Sequence, residues 1–250
     1  MAVAATTFRE AVRERVLYNL VFFAILMTLS GLMMRELSIR QDEKIVKDIG
    51  LAAMELVGTV IAVFVGMGLV SKEIERRSLH PVLAKPVSRD EFLLGKFGGL
   101  AFTLLVNTAV MTAGLYLTLL ATGRRAEMRL LVAVGTIYVG LLLVVALSLL
   151  FSAVTSTTVA ALCTVALVVA GRFADVIRGM REVAPAAPEW LVRVLYYALP
   201  NFRTLDYKNP VVYGDPIDPA TLGLSVLYGA AYIVVALGIA MAAFRSRDFQ

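Results

Sequence analysis

The stretch SKEIERRSLHPVLAKPVSRDEFLLGK, residues 71–96, gathers ten charged side chains between two apolar runs, 50–70 and 97–121. Its reading decides the fold. Each flanking run has about the 20 mostly apolar residues that a helix needs to cross a hydrocarbon layer of ~30 Å. Two crossings joined by a charged segment place residues 71–96 at one membrane surface and send the chain back through the bilayer.

Working outward, four more runs approach or exceed that length, at 17–34, 130–151, 159–177 and 221–244. Composition agrees: 59% of residues are apolar and the mean hydropathy is +0.80, against roughly 45–50% apolar usage in soluble domains. The sequence predicts an all-α integral membrane protein with six transmembrane helices, forming a single domain over residues 1–250. TLLVNTAVMTAGLYLTLLA, residues 103–121, lacks the two-residue alternation that a membrane barrel strand requires. The first run follows Arg9, Arg13 and Arg15, exceeds a typical signal-peptide core and lacks a small-residue cleavage site, so it is expected to be retained. An even number of crossings puts both termini on one side.

Basic residues orient the bundle by a narrow margin. With cytoplasmic termini, eleven Lys and Arg face the cytoplasm, among them Lys72, Arg76, Arg77, Lys85, Arg89 and Lys96, and thirteen lie elsewhere. Six of those thirteen sit at or beyond the end of the fifth run, where the positive-inside rule gives charges less weight. The remaining comparison favours cytoplasmic termini.

Residues 1–16 read as an amphipathic interfacial helix: Thr7 and Glu10 have capping-box spacing, and Phe8, Val12 and Val16 recur on one side. A solvated basic tail running into the first crossing is the plainer alternative. Residues 178–220 hold six of the eight prolines and cannot form one helix. Within them EWLVRVLYYAL places Trp190, Tyr196 and Tyr197 at helical spacing suited to an interfacial belt. This outer segment reads as a short surface helix and a compact loop, either a gate or a structural lid.

Catalytic chemistry has little to work with. One histidine, His80, and one cysteine, Cys163, lie far apart, which excludes zinc sites built on His and Cys clusters and any internal disulfide. GMGLVS at 66–71 imitates a nucleotide loop without a preceding strand, and LLGKFGG has Phe97 where a Walker sequence needs Ser or Thr. No cofactor site is expected in this chain.

Polar groups within the runs are sparse. Glu55, one turn into the second run, has Lys47 or Arg172 as candidate partners; Arg172 and Asp175 are spaced to pair; Asn107, near Thr103, Thr108 and Thr112, is expected to bond between helices. Gly58, Ala62 and Gly66 form a small-residue stripe for close packing, either within the chain or between subunits.

The opening stretch has its own grammar. Pro81 can start a short helix presenting Leu79, Val82 and Leu83; Pro86 ends it; Ser88 with Glu91 then makes a capping box that starts the next helix. A merely solvated hairpin is the plain alternative.

The order Glu73, Glu75, Pro86, Ser88, Arg89, Gly95 and Lys96 resembles the cytoplasmic loop of ABC-2-type permeases, the six-helix membrane subunits of type V ABC exporters. It departs at Arg77, before Ser78, where that family usually has Gly. TTFREAVRERVLYNLVFFA (6–24) is similar to the family's amphipathic entrance, SAVTSTTVAAL (152–162) to its turn between the fourth and fifth helices, and FRSRDF (244–249) to its cytoplasmic tail. ALPNFRTLDYKNPVVYG (198–214) is similar to the outer segment of the subgroup that includes permeases of nitrous-oxide-reductase maturation. The resemblance implies ATP-driven export or transmembrane mechanical work in a bacterial-type cytoplasmic membrane. A second permease chain, identical or related, and two copies of a separate ABC ATPase would complete the unit, with ATP and Mg in the ATPase and no nucleic acid. Glu73, Leu79, Val82, Leu83, Pro86, Ser88 and Arg89 would form the ATPase-coupling site. A membrane scaffold that recruits soluble partners without transport is the alternative function.

Overall fold

A computed structural model of the chain describes residue 23 and residues 42–75, 89–125, 127–174 and 199–246. Among them every regular element is helical: α1 (Asp42–Glu75), α2 (Arg89–Ala121), α3 (Leu130–Val154), α4 (Thr157–Arg172), a 3-10 turn (Phe202–Leu205), α5 (Lys208–Tyr213) and α6 (Pro219–Ser246). The protein is an all-α membrane protein. Three helices, Asp90–Ala121, Leu130–Val154 and Pro219–Arg245, are long and apolar enough to span a bilayer, and Thr157–Arg172 is a shorter apolar helix. The second apolar run lies inside α1. Of the first run only Phe23 is described, helical and buried. The expected interfacial helix at 1–16 and the surface helix before Leu199 fall outside the described residues.

Helix ends depart from the apolar runs in an instructive way. α1 starts eight residues before its run and continues through Glu75, because the Glu and Lys residues that leave the hydrocarbon are themselves good helix formers. α4 ends at Arg172 rather than at 177, with the Phe173 amide bonded to the Ala170 carbonyl at 3.1 Å.

The turns follow from local chemistry. After α2, Gly123 takes φ of 69°, the Arg124 amide bonds the Leu119 carbonyl at 2.8 Å, and the Gly123 amide bonds that of Leu120 at 3.0 Å. This is a Schellman cap, which needs a residue without a Cβ at its left-handed position. α6 starts with Asp218 as its cap: the Thr221 amide and hydroxyl donate to its carboxylate at 3.0 and 2.6 Å, and Pro219 fills the first helical position. Those bonds hold the Asp218 carboxyl below its ordinary value of 3.8.

α3 is the central post. It is apolar all round, fourteen of its 25 residues are buried, and it touches every other described element, as expected of a helix without a polar face. α1 runs parallel to α3 in close contact. A Cβ on Gly58 would lie 2.6 Å from Leu141 Cδ1 and one on Gly66 2.5 Å from Ser148 Oγ, while Ser148 donates to the Val63 carbonyl at 3.3 Å. The stripe through Gly58, Ala62 and Gly66 is thus occupied by an intrachain contact. α2 runs antiparallel to α3, and α6 runs parallel to it. Two other buried hydroxyls donate within their own helices, Thr103 to the Gly99 carbonyl at 2.9 Å and Thr164 to that of Ala160 at 2.7 Å.

Gly171 meets something harder than a side chain. A Cβ there would run into the Pro200 carbonyl and lie 2.8 Å from the Phe202 ring. Gly171→Ala should therefore destabilise the detergent-solubilised protein by about 1–3 kcal/mol, the usual range for overpacking. Gly98→Ala, with open space around it, should be neutral or slightly stabilising; thermal denaturation of the two variants measures the difference. For Asp218, a lowered folded-state pKa means that the cap stabilises fully above pH 3.8 and is lost as pH falls through the lower folded value. Hydrogen exchange in the first turn of α6 should accordingly be faster in Asp218→Ala than in wild type at neutral pH, and the gap should close only in acid below that value.

Candidate functional site

The two ends of the bundle are chemically different. At one end lie the start of α1, the α2–α3 turn, the end of α4 and residues 199–218. At the other lie the ends of α1 and α6, the start of α2 and the α3–α4 turn.

The first end is built around Glu55. Its Oε1 accepts from Arg172 Nη2 at 2.5 Å and its Oε2 from Lys208 Nζ. Asp206 Oδ2 lies 3.7 Å from the same ammonium. The Glu55 and Lys208 side chains are 19% and 15% exposed, whereas Arg172 is 37% exposed and reaches the surface. Beside this cluster the buried Lys47 is held by Glu43 at 2.6 Å and Glu127 at 3.2 Å. Arg129 donates to the Gly214 carbonyl at 3.1 Å, and Lys44 lies 5.0 Å from the Tyr213 ring centroid. Residues 199–218 are also tied to α6, by the Asn201 amide on Tyr228 Oη at 2.8 Å and by the Tyr207–Ser225 hydroxyl pair at 2.9 Å.

Of the two partners offered to Glu55 by the sequence, Arg172 takes the contact and Lys47 goes to other carboxylates. Lys208 had no signal in the sequence, being 153 residues distant. The expected interhelical bond of Asn107 is corrected: its Nδ2 donates to Met111 Sδ in the same helix at 3.4 Å, and its Oδ1 has no partner among the described residues. Asp175 lies outside the described residues.

The second end carries the borders of the stretch that the sequence reading assigns to ATPase coupling. Residues 71–75 belong to α1 and residues 89–96 to α2, so the segment between the two helices is 76–88. Glu73 sits in the last turn of α1 and Arg89 is the first residue of α2, directly after Ser88. Leu79, Val82, Leu83, Pro86 and Ser88 lie outside the described residues. Asp90 and Glu91 in the first turn of α2 suit the positive end of its dipole. α2 is clamped to the end of α6 just here. Arg245 grips Asp90 with two nitrogens, Nε at 3.0 Å and Nη2 on the other oxygen. Phe92 stacks on Phe244 with centroids 6.4 Å apart and planes at 13°, and the buried Lys96 ammonium lies 5.3 Å from the Phe92 centroid.

Over residues 1–249 the chain matches the family described as ABC-2 family transporter protein. It belongs to that family. The protein is therefore a multi-pass membrane protein and a permease subunit of the ABC transporter class. No curated protein matches it significantly.

In this ABC-2 permease the Glu55 cluster ties α1 ionically to α4 and to the segment before α6. Glu55→Gln would leave two cations facing each other. We expect a loss of about 1–3 kcal/mol, less than for a fully buried pair because Arg172 is partly hydrated. Glu55→Gln combined with Lys208→Met should recover part of that loss in the same thermal assay, since the repulsion is then removed.

Proposed function

We propose that this chain is the membrane-spanning permease subunit of an ATP-driven exporter or transmembrane mechanical device, coupled to a separate ABC ATPase. The carrying observation is the family match over residues 1–249. It is supported by two long helices, of 34 and 33 residues, bracketing the short charged segment 76–88. In this reading 76–88 faces the cytoplasm together with both termini, in a bacterial-type cytoplasmic membrane. Two permease chains and two ATPase chains form the unit. The likeness of residues 198–214 to permeases of nitrous-oxide-reductase maturation makes mechanical coupling to a periplasmic process one form of the work done.

The mechanism follows from stiffness. Closure of the ATPases on bound ATP and Mg would push on the apolar face formed by Leu79, Val82 and Leu83, with Glu73 and Arg89 at the two helix ends. A helix cannot absorb that push by bending locally, so α1 and α2 move as rods. α2 takes α6 with it through Asp90–Arg245 and Phe92–Phe244, and α1 takes α3 through the Gly58 and Gly66 contacts. Work is done only if the two arrangements bind the ATPase differently. This chain contributes shape change and no bond-making chemistry.

Each large aliphatic side chain buried in an ATPase groove is worth roughly 1.5–3 kcal/mol. Leu83→Asp replaces that gain with a carboxylate that must stay hydrated. It should reduce ATPase co-purification or permease-stimulated ATP turnover by tenfold or more, by the arithmetic of ~1.4 kcal/mol per decade, with membrane insertion unchanged. Arg124→Ala, in the turn at the opposite end, should behave as wild type. Equal behaviour of the two variants would make 76–88 a solvated hairpin and favour the scaffold alternative.

A further inference from the structure

Behind the Glu55 cluster, where α1, α3 and α4 meet the 3-10 turn, lies a cavity of about 10 Å³. Its polar lining comes from three helices: Glu55 and Thr59 of α1, Thr136 of α3 and Arg172 of α4. Phe202 and Leu205 of the 3-10 turn, both buried, supply apolar side chains to it. The clefts between α1 and α4 and between α2 and α3 are of another order, about 530 and 550 Å³. A buried water molecule needs space on the order of 10 Å³ and roughly two to four polar partners. Nothing larger fits.

Charge and hydrogen bonding select the occupant. Two cations, Arg172 and Lys208, meet two carboxylates, Glu55 and Asp206, so the cluster is balanced and offers an ion no net attraction. The lining suits a neutral molecule that both donates and accepts. Thr136 is 2% exposed, and its hydroxyl gives its one proton to the Ala133 carbonyl at 3.0 Å, which leaves two lone pairs to accept. Arg172 has five N–H donors, of which Glu55 takes one among the described residues. Thr59, one turn on from Glu55, adds a second hydroxyl to the lining.

We propose that this cavity holds one ordered water, which accepts from Arg172 and donates to Thr136 Oγ1 and to Glu55. That water carries the ionic cluster into α3, whose side-chain bond to α1 lies toward the opposite end, from Ser148 to the Val63 carbonyl. A bridging water is nearly as favourable as a direct hydrogen bond. It can also change partners without leaving a buried group unpaired, so α4 and the 3-10 turn can shift against α3 while the Glu55 cluster stays intact.

Radiolytic hydroxyl-radical footprinting of the purified full chain in lipid nanodiscs tests this, because radicals made from a bound water oxidise the side chains beside it. Phe202 lines the cavity and Phe244 lies at the other end of the bundle; they are 7% and 5% exposed and share one ring chemistry. In wild type Phe202 should be oxidised several-fold faster than Phe244. Thr136→Val keeps the shape and removes the acceptor, and should bring Phe202 down to the Phe244 rate. Thr164→Val deletes a buried hydroxyl bonded within α4 in the same way, and should leave Phe202 at its wild-type rate. Equal rates for the two rings in wild type overturn the proposal. So does fast labelling of Phe202 that survives Thr136→Val, which would mean that the ring meets bulk water instead. An unfolded Thr136→Val chain would raise both rings together, and the wild-type comparison then decides.

Discussion

Glu55 holds one negative charge between two cations that lie 117 and 153 residues further along the chain. Its burial beside apolar helices is costly unless both oxygens are paired, and that cost makes the arrangement specific. Remove Glu55 and two cations face each other at the membrane edge; remove either cation and one carboxylate oxygen loses its partner. Because Arg172 closes α4 and Lys208 opens α5, this one carboxylate sets where the shorter apolar helix ends and where residues 199–218 sit. Bonds from Asn201 and Tyr207 to α6 fix the other side of that segment, so the end of the bundle is covered by chain that could not itself have crossed.

Between the two ends the constraint is dryness. Backbone groups in hydrocarbon must be satisfied within the segment, which forces helices, and the apolar faces can then distinguish neighbours only by shape. α1 and α3 approach closely because Gly58 and Gly66 leave room for Leu141 and Ser148. The opposite end relies on stacking and charge, with Phe92 on Phe244 and Asp90 on Arg245. Thus α1 with α3, and α2 with α6, form pairs held at different depths. That division suits a machine in which a push on residues 76–88 must reach the far side through whole helices.

Much of this was legible in the sequence, for identifiable reasons. Apolar runs of spanning length report a property of the solvent, and the runs at 97–121, 130–151 and 221–244 coincide with spans in the structure. Helix ends were less legible: the charged stretches 42–48 and 71–75 are helical, since leaving the hydrocarbon does not stop a helix. The Arg172 partner of Glu55 could be offered because few cations lie near the same depth, but Lys208 could not, since nothing local announces a contact across a proline-rich segment. Asn107 misled for a related reason. An amide in a membrane helix suggests a neighbouring helix, whereas Met111 Sδ one turn on accepts its hydrogen bond. The coupling residues between Glu75 and Arg89 were read from order and resemblance, and their role stands as a proposal.

The central claim is that the Glu55 end and the segment 76–88 lie on opposite membrane faces, with the latter on the ATPase side. Single cysteines at Ser78 and at Asp206, each in a Cys163→Ser background, test it in right-side-out membrane vesicles with an impermeant thiol reagent. The account predicts that the cysteine at 206 reacts in intact vesicles and that the one at 78 reacts only after the membrane is opened. The reverse pattern, or labelling of both from the same face, would contradict it.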